Sequence, residues 1–519
     1  MAPSAVPLNG FDQKDDDTSL SRPTKKLRID QPLPGSGSAS AFASDPDGDD
    51  VAAIPPHPLG VKPSGNALTS NINLKARCGF FAVLPDELLA QLLEFLDARA
   101  LVRLGSTCKA LYAFTRSEEL WRALFIESRP LNFKWRGSWR STCLDLPAAH
   151  QAHVDCSGLF SDVLYRPFQC TYTPLKPYTT NIPTENLIPR LADLTTDEFS
   201  AKWTNKPFIL TSPVKEWPIF GKWTTEYLVN KYPNVPFRAE AVDWPLQTYV
   251  DYMNKNTDES PLYLFDRSFA EKMQIAVGKN VKNADYWAPS CFGDDLFAVL
   301  GDQRPDSRWM IMGPARSGST FHKDPNATSA WNAVLTGSKY WLMFPSSANL
   351  PPPPGVIVSE DSSEITAPLS IAEYLLSFHE LARATPGCRE GICHAGEILY
   401  VPSGWFHLVL NLEEGIALTQ NFVPRSKLPD VLGFLRDRAD QASGFKDEVT
   451  DPFGLLVERL GNVYPDILEE GMKKLEDRAK PKKGKWEELV KGGGDDKAEE
   501  QGGFAFGFGF GGDDDAEVA

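Results

Sequence analysis

Between residues 190 and 425 the chain is cut into short runs of β-branched and aromatic residues (PFILT, PLYLF, RWMIMG, KYWLMFP, EILYVP, HLVLNL and IALTQNFV), separated by Gly, Pro, Asn and Ser. Their number and shortness predict many strands closed into a barrel or a sandwich. The flanks change period. From about Cys78, FAVLPDELLAQLLEFLDARALVRLGSTCKALYAFTRSEELWRALF carries apolar residues at 84, 88, 89, 92, 93 and 96, then at 101, 102, 104, 108, 111 and 112, then at 120, 121, 124 and 125. That spacing predicts three short amphipathic helices within residues 78–145. Pro85 followed by Asp86 and Glu87 suits a helix start, because Pro fits the first turn and carboxylates meet the positive end of the dipole. A connector over 146–189 leads into the strand-rich block, and helical spacing returns over 426–490, with Pro452 near one helix start.

The ends have another composition. Residues 1–75 are rich in Ser, Pro, Gly, Ala and Asp, and residues 491–519 are Gly-rich and acidic with interspersed Phe, so a disordered leader and tail are expected. The leader contains RPTKKLR at 22–28, a basic cluster that a nuclear import receptor reads, so the expected location is nuclear, with the cytoplasm as a second compartment. No apolar run approaches the ~20 residues of a membrane span, and the first residues lack the pattern of a signal peptide. Eight cysteines spread along the chain without a CxxC pair suit reduced thiols. With 53 Lys and Arg against 69 Asp and Glu, a formal charge of −16, the chain as a whole does not attract nucleic-acid phosphate, and no direct nucleic-acid binding is expected.

Chemistry concentrates in SGSTFHKDPNATSAWNAVLTGSKYWLMFP, residues 317–345. On a strand, His322 and Asp324 project from one face and offer an imidazole and a carboxylate to a common point. In GEILYVPSGWFHLVLN, a strand and a Pro402-Ser403-Gly404 turn bring His407 into the next strand, where a barrel can set it beside the pair. Two His and one carboxylate form the facial triad that binds Fe(II) and leaves positions open for a cosubstrate and dioxygen. His394, Cys388 and Cys393 hint at zinc, but with no fourth ligand nearby they read as loop residues.

The blocks SPLYLFD (260–266), RWMIMGPARSGSTFHKDP (308–325), TSAWNAVLTGSKYW (328–341), GEILYVPSGWFHLVLN (396–411) and IALTQNFV (416–423) resemble, in this order, the Jumonji-C (JmjC) family of Fe(II)- and 2-oxoglutarate-dependent dioxygenases. The nearest likeness is to its nuclear lysyl-hydroxylase and arginine-demethylase branch. The resemblance implies a mainly β, double-stranded β-helix (cupin-like) barrel with His322, Asp324 and His407 as iron ligands. It further implies that Lys339, aided by Tyr263, binds the distal carboxylate of 2-oxoglutarate, with Asn332, Ser319 and Thr419 as further polar contacts; Ser319 stands where the relatives usually have Thr. A dianion in an apolar barrel needs a buried cation, and Lys339, flanked by Tyr340, Trp341 and Leu342, is an odd lysine unless an anion meets it.

Leu84-Pro85-Asp86-Glu87 with Leu88 and Leu89, then Leu101-Val102, Cys108-Lys109 and Trp121, resembles an F-box, which implies docking on the Skp adaptor of a cullin-RING ubiquitin ligase. The expected function is hydroxylation or demethylation of Lys or Arg side chains, histones being candidate substrates. The alternative is an F-box substrate receptor whose barrel only recognises a target. Residues 176–425 hold 28 Asp and Glu against 21 Lys and Arg, which favours a basic protein substrate.

Overall fold

The computed structural model describes residues 54–479 apart from 131–132, 148–153, 348–349 and 369, so RPTKKLR and the tail lie outside the described residues. Residues 54–75, expected in the disordered leader, are instead folded. Val61 is buried, Lys62 pairs with Phe160, and Ser64–Thr69 forms a 3-10 helix. Among the described residues no helix is long and apolar enough to cross a membrane.

The barrel is built from two sheets. Strands Arg308–Gly313, Ser329–Thr336, Ile398–Val401 and Gly415–Phe422 lie in a nine-stranded sheet; Gly318–His322, Ser338–Phe344, Arg389–His394 and Phe406–Asn411 form a four-stranded one. Apart from the antiparallel pair 338–344 and 389–394, successive strands alternate between the sheets, which winds the chain into a double-stranded β-helix. The insertion in that pair carries the helix Ile371–Ala384.

Period-2 alternation splits each central strand between two apolar layers. Tyr340, Leu342, Phe344, Phe406, Leu408 and Leu410 pack outward against the Ile371–Ala384 helix. Trp341, Met343 and Val409 turn inward and meet Ala330, Val334, Leu399 and Val401 of the facing sheet. Burial on both faces explains why the strands read as near-continuous apolar runs. Cys393 and His394, read as loop residues, end the Arg389–His394 strand, with Cys393 buried and His394 exposed. Their neighbour Cys388 is buried, and the three do not form a metal cluster among the described residues.

Over residues 84–125, where the spacing predicts three helices, the structure has four: Asp86–Leu93, Ala98–Gly105, Lys109–Phe114 and Glu118–Ser128, and a short fifth, Trp139–Cys143, follows within the same unit. The second and third are separated because Ser106 and Thr107 donate their hydroxyls back to the Val102 and Leu104 carbonyls, and Cys108 is extended. Such local bonds compete with helix continuation. The connector is also more structured than expected, since it contains the helix Asp162–Tyr172.

The helical unit shares one core with the strand-rich block. Leu89, Leu101, Trp121, Phe125 and Trp139 belong to the same buried cluster as Trp244, Tyr252, Leu262, Met312 and Trp331. At the other end, Leu428–Asp437, Pro452–Val463 and Pro465–Ala479 form the C-terminal helices.

Candidate active site

His322 ends the Gly318–His322 strand, His407 is the second residue of the neighbouring Phe406–Asn411 strand, and the two are direct cross-strand partners. A register shift between His407 and Val409 inserts an extra residue on the 318–322 side, so Ser319 and His322 both oppose inward-facing partners. The two imidazole rings lie 4.1 Å apart between centroids. Asp324 follows in extended conformation (φ −64°, ψ 145°), and one ligand atom from each of His322, Asp324 and His407 lies within 4.8 Å of the others.

The second ring nitrogens orient the cluster. His322 Nδ1 is 2.8 Å from the Thr320 carbonyl and His407 Nδ1 is 3.1 Å from the Trp405 carbonyl. A carbonyl can only accept, so each Nδ1 carries a proton, and Nε2 is the nitrogen left to face a metal. Asp324 is half-buried as a residue, but its Oδ2 is sealed from solvent and has no hydrogen-bond partner. Burial pushes its carboxyl upward, against the charge of His322 and the Asn421 amide. Burial, then repulsion by His322, holds His407 well below the ordinary imidazole range. Two imidazole nitrogens facing a buried carboxylate with one unpartnered oxygen form a donor set that a divalent cation satisfies, and two nitrogens with one oxygen suit Fe(II).

Lys339 stands on the same sheet, opposite Asn411 in the register. Only 1% of its surface is exposed, yet no carboxylate among the described residues pairs with it. Its Nζ donates to Tyr263 Oη and to Asn411 Oδ1, each at 2.6 Å, and Asn411 Nδ2 donates to Ser317 Oγ at 2.9 Å. Burial lowers the ammonium to about 7 and pushes the Tyr263 phenol up. A buried cation held only by neutral oxygens awaits an anion.

The facing sheet supplies the other expected residues. Asn332 is cross-strand partner to Thr419 and to Leu399, on the inward side, and its Oδ1 is buried without a partner. Thr419 donates its hydroxyl to the Trp331 carbonyl at 2.9 Å, which leaves that oxygen as an acceptor toward the interior. Ser319 opposes Val409, between the levels of His407 and Asn411. Of the eight residues singled out from the sequence, six lie on inward strand positions of the two facing sheets, Asp324 follows directly after the Gly318–His322 strand, and Tyr263 meets Lys339. Asn411 was missed, although it stands four residues after His407 and shares its face by strand period.

Beside the triad, a cleft of about 420 Å³ is lined by residues including Lys323, Ser403, Asp430, Phe434, Asp437 and Arg438. Its charges are mixed, in contrast to the acidic excess of the whole region. Lys323, held low by burial and by Arg438, lies 4.2 Å over the Phe406 ring.

Comparison with known proteins completes the description. Residues 197–427 match the cupin-like domain family and residues 81–127 the F-box-like family. The chain is 38% identical over 445 residues to "Arginine-specific demethylase JMJ22" of Arabidopsis thaliana, covering 82% of this chain and 85% of that protein. It is 38% identical over 247 residues to "Bifunctional arginine demethylase and lysyl-hydroxylase psr-1" of Caenorhabditis elegans, covering 44% and 59%. It is 27% identical over 332 residues to "2-oxoglutarate and iron-dependent oxygenase JMJD4" of Danio rerio, covering 57% and 68%.

Proposed function

The chain belongs to the JmjC family of cupin-like oxygenases, and on that premise we propose that it is an Fe(II)- and 2-oxoglutarate-dependent protein oxygenase that hydroxylates or demethylates Lys or Arg side chains. The observation that carries the site assignment is the pairing, within one chamber, of an unsatisfied two-His, one-carboxylate cluster with an uncompensated buried lysine. His322, Asp324 and His407 hold the iron, and Lys339 and Tyr263 hold the distal carboxylate of 2-oxoglutarate. Asn332, Ser319 and Thr419 line the space between. Four residue steps, about 13 Å of strand, lead from His407 to Asn411, a span that inward-leaning side chains and a five-carbon diacid fill.

When bound, the iron and 2-oxoglutarate use dioxygen to insert oxygen into a substrate C–H bond, releasing succinate and carbon dioxide. The chain's own residues prepare that reaction. The Thr320 and Trp405 carbonyls fix both imidazoles in the tautomer that presents Nε2. Trp341, Met343, Val334 and Val409 exclude water and lower the local dielectric, which strengthens the grip of Lys339 on a carboxylate. Succinate release, measured with and without Lys- and Arg-containing protein substrates, tests the reading. Turnover that ignores 2-oxoglutarate contradicts it.

The lysine makes cosubstrate affinity pH-dependent. In the unliganded chamber the ammonium titrates at about 7, and a bound carboxylate raises that value, so binding takes up a proton above neutrality. The 2-oxoglutarate Kd is expected to be flat below pH 7 and to rise by up to about tenfold per pH unit above it. Binding titrations across that range check the slope, and a pH-independent Kd contradicts a charge-pairing role for Lys339.

The F-box-like helices suggest a second contact, with a Skp adaptor. Phe80 and Leu88 are 96% and 51% exposed, and Val83, Leu92 and Val102 are further exposed apolar side chains on this part of the chain among the described residues. Because these helices share a core with the rest of the chain, the test uses the whole protein. Leu88→Asp is expected to abolish capture of the adaptor with little change in thermal stability, since the side chain faces solvent. Undiminished capture removes this contact. RPTKKLR supports nuclear import, which imaging of the chain with and without residues 22–28 tests.

A further inference from the structure

Tyr263 lies in a segment whose backbone is fastened by buried polar side chains. Tyr252 Oη accepts the Leu262 N–H at 2.7 Å; Tyr249 Oη donates to the Leu262 carbonyl at 2.9 Å and accepts the Leu264 N–H at 3.1 Å. The N–H of Tyr263 itself is accepted by Glu240 Oε1 at 3.2 Å. Glu240 is held in turn: its Oε2 accepts from Arg122 Nη2 at 3.2 Å, while Arg122 Nη1 donates to the Ser260 carbonyl at 2.8 Å. Arg122 is a nearly fully buried cation on the Glu118–Ser128 helix, the last of the F-box-like unit.

Arg122 also sits 3.8 Å from Asp258, which accepts from Trp139 Nε1 at 2.9 Å and from Tyr252 Oη at 2.6 Å. The helical unit therefore touches the start of the segment, at Asp258 and Ser260, and is linked through Glu240 to the backbone of the tyrosine that meets Lys339. We infer that Arg122 and Glu240 are positioning residues for Tyr263, so that the F-box-like unit sets the affinity of the barrel for 2-oxoglutarate. This inference rests on Tyr263 and Lys339 binding that cosubstrate.

The geometry distinguishes positioning from mere support. Glu240 occupies the tight turn between Pro236–Ala239 and Val242–Pro245, with its side chain 31% exposed, so its replacement opens no core cavity. Its Oε1 fixes the height at which Tyr263 enters the chamber, and Tyr263 Oη reaches Lys339 Nζ only from there. A one-ångström drift at that hydroxyl loosens both groups that face the distal carboxylate.

The test measures 2-oxoglutarate Kd by calorimetry on the full-length protein loaded with Mn(II), a redox-quiet substitute for iron, together with thermal melting and Mn(II) affinity. Glu240→Leu removes the acceptor and is expected to weaken 2-oxoglutarate about fivefold or more with Mn(II) affinity held, while Glu240→Gln, which retains an acceptor oxygen, recovers most of the loss. Arg122→Met should weaken it as well, but this variant also strips Asp258 of its cation, so the Glu240 pair decides. Lys339→Met serves as the control. If it weakens 2-oxoglutarate and Glu240→Leu does not, whatever the melting temperatures, the positioning role is overturned while the cosubstrate site stands. If Lys339→Met leaves the Kd unchanged, the cosubstrate reading falls and the inference falls with it.

Discussion

Asp324→Ala is expected to lose iron and to lower succinate formation by about a thousandfold or more, because it removes a direct ligand, whereas loss of an outer-shell partner already costs about 10- to 100-fold. The Oδ2 that this substitution deletes is buried and has no hydrogen-bond partner, so the fold loses only the contact of the other oxygen with the Asn421 amide. The protein should therefore melt at the wild-type temperature or above it, since a carboxyl pushed up by burial is a cost to the folded chain. Metal content by elemental analysis, read beside the melting curve, separates ligand loss from unfolding. Retained stoichiometric iron at wild-type turnover sinks the assignment of this residue.

Lys339→Met should leave iron bound and raise the 2-oxoglutarate Kd by about 10- to 100-fold, the range for deleting a charge-assisted hydrogen bond to a carboxylate. The thioether fills the volume of the stem without the charge, and Tyr263 and Asn411 lose the ammonium that both accept from. Removing a buried cation that no carboxylate balances also relieves a desolvation cost, so the variant is expected to be no less stable without cosubstrate. Loss of iron in step with loss of 2-oxoglutarate would instead assign Lys339 to the integrity of the chamber.

What could be read from the chain divides by range of interaction. His322 and Asp324 were legible because a strand of period 2 turns residues two apart to the same side, a local rule. His407 was legible only as a candidate, since its place opposite His322 depends on a pairing between strands distant in sequence. Asn411 follows from the same local rule as the triad, yet nothing in the sequence marks it as the partner of Lys339 until the 338–344 and 406–411 strands are laid side by side.

The break at Ser106 and Thr107 was hidden for a different reason. The apolar spacing continues through it, and the competing side-chain bonds act on the backbone without altering the pattern. Residues 54–75 have the composition of a leader, but a few contacts such as those of Val61 and Lys62 suffice to order them against the connector. Least legible was Arg122, whose helical spacing marks only its place on a short helix, and whose partners Glu240, Ser260 and Asp258 come from a hairpin turn and a loop more than a hundred residues away.

The most direct measurement is product mass and succinate yield from one reaction, in which the full-length protein with Fe(II), 2-oxoglutarate and oxygen is given unmethylated and methylated Lys- and Arg-containing protein substrates. The expected result is succinate formed in step with either one added oxygen or one lost methyl group on a Lys or Arg side chain, and neither change when Asp324→Ala replaces the wild type. Consumption of no 2-oxoglutarate by the iron-loaded wild type, or equal product from Asp324→Ala, contradicts the account.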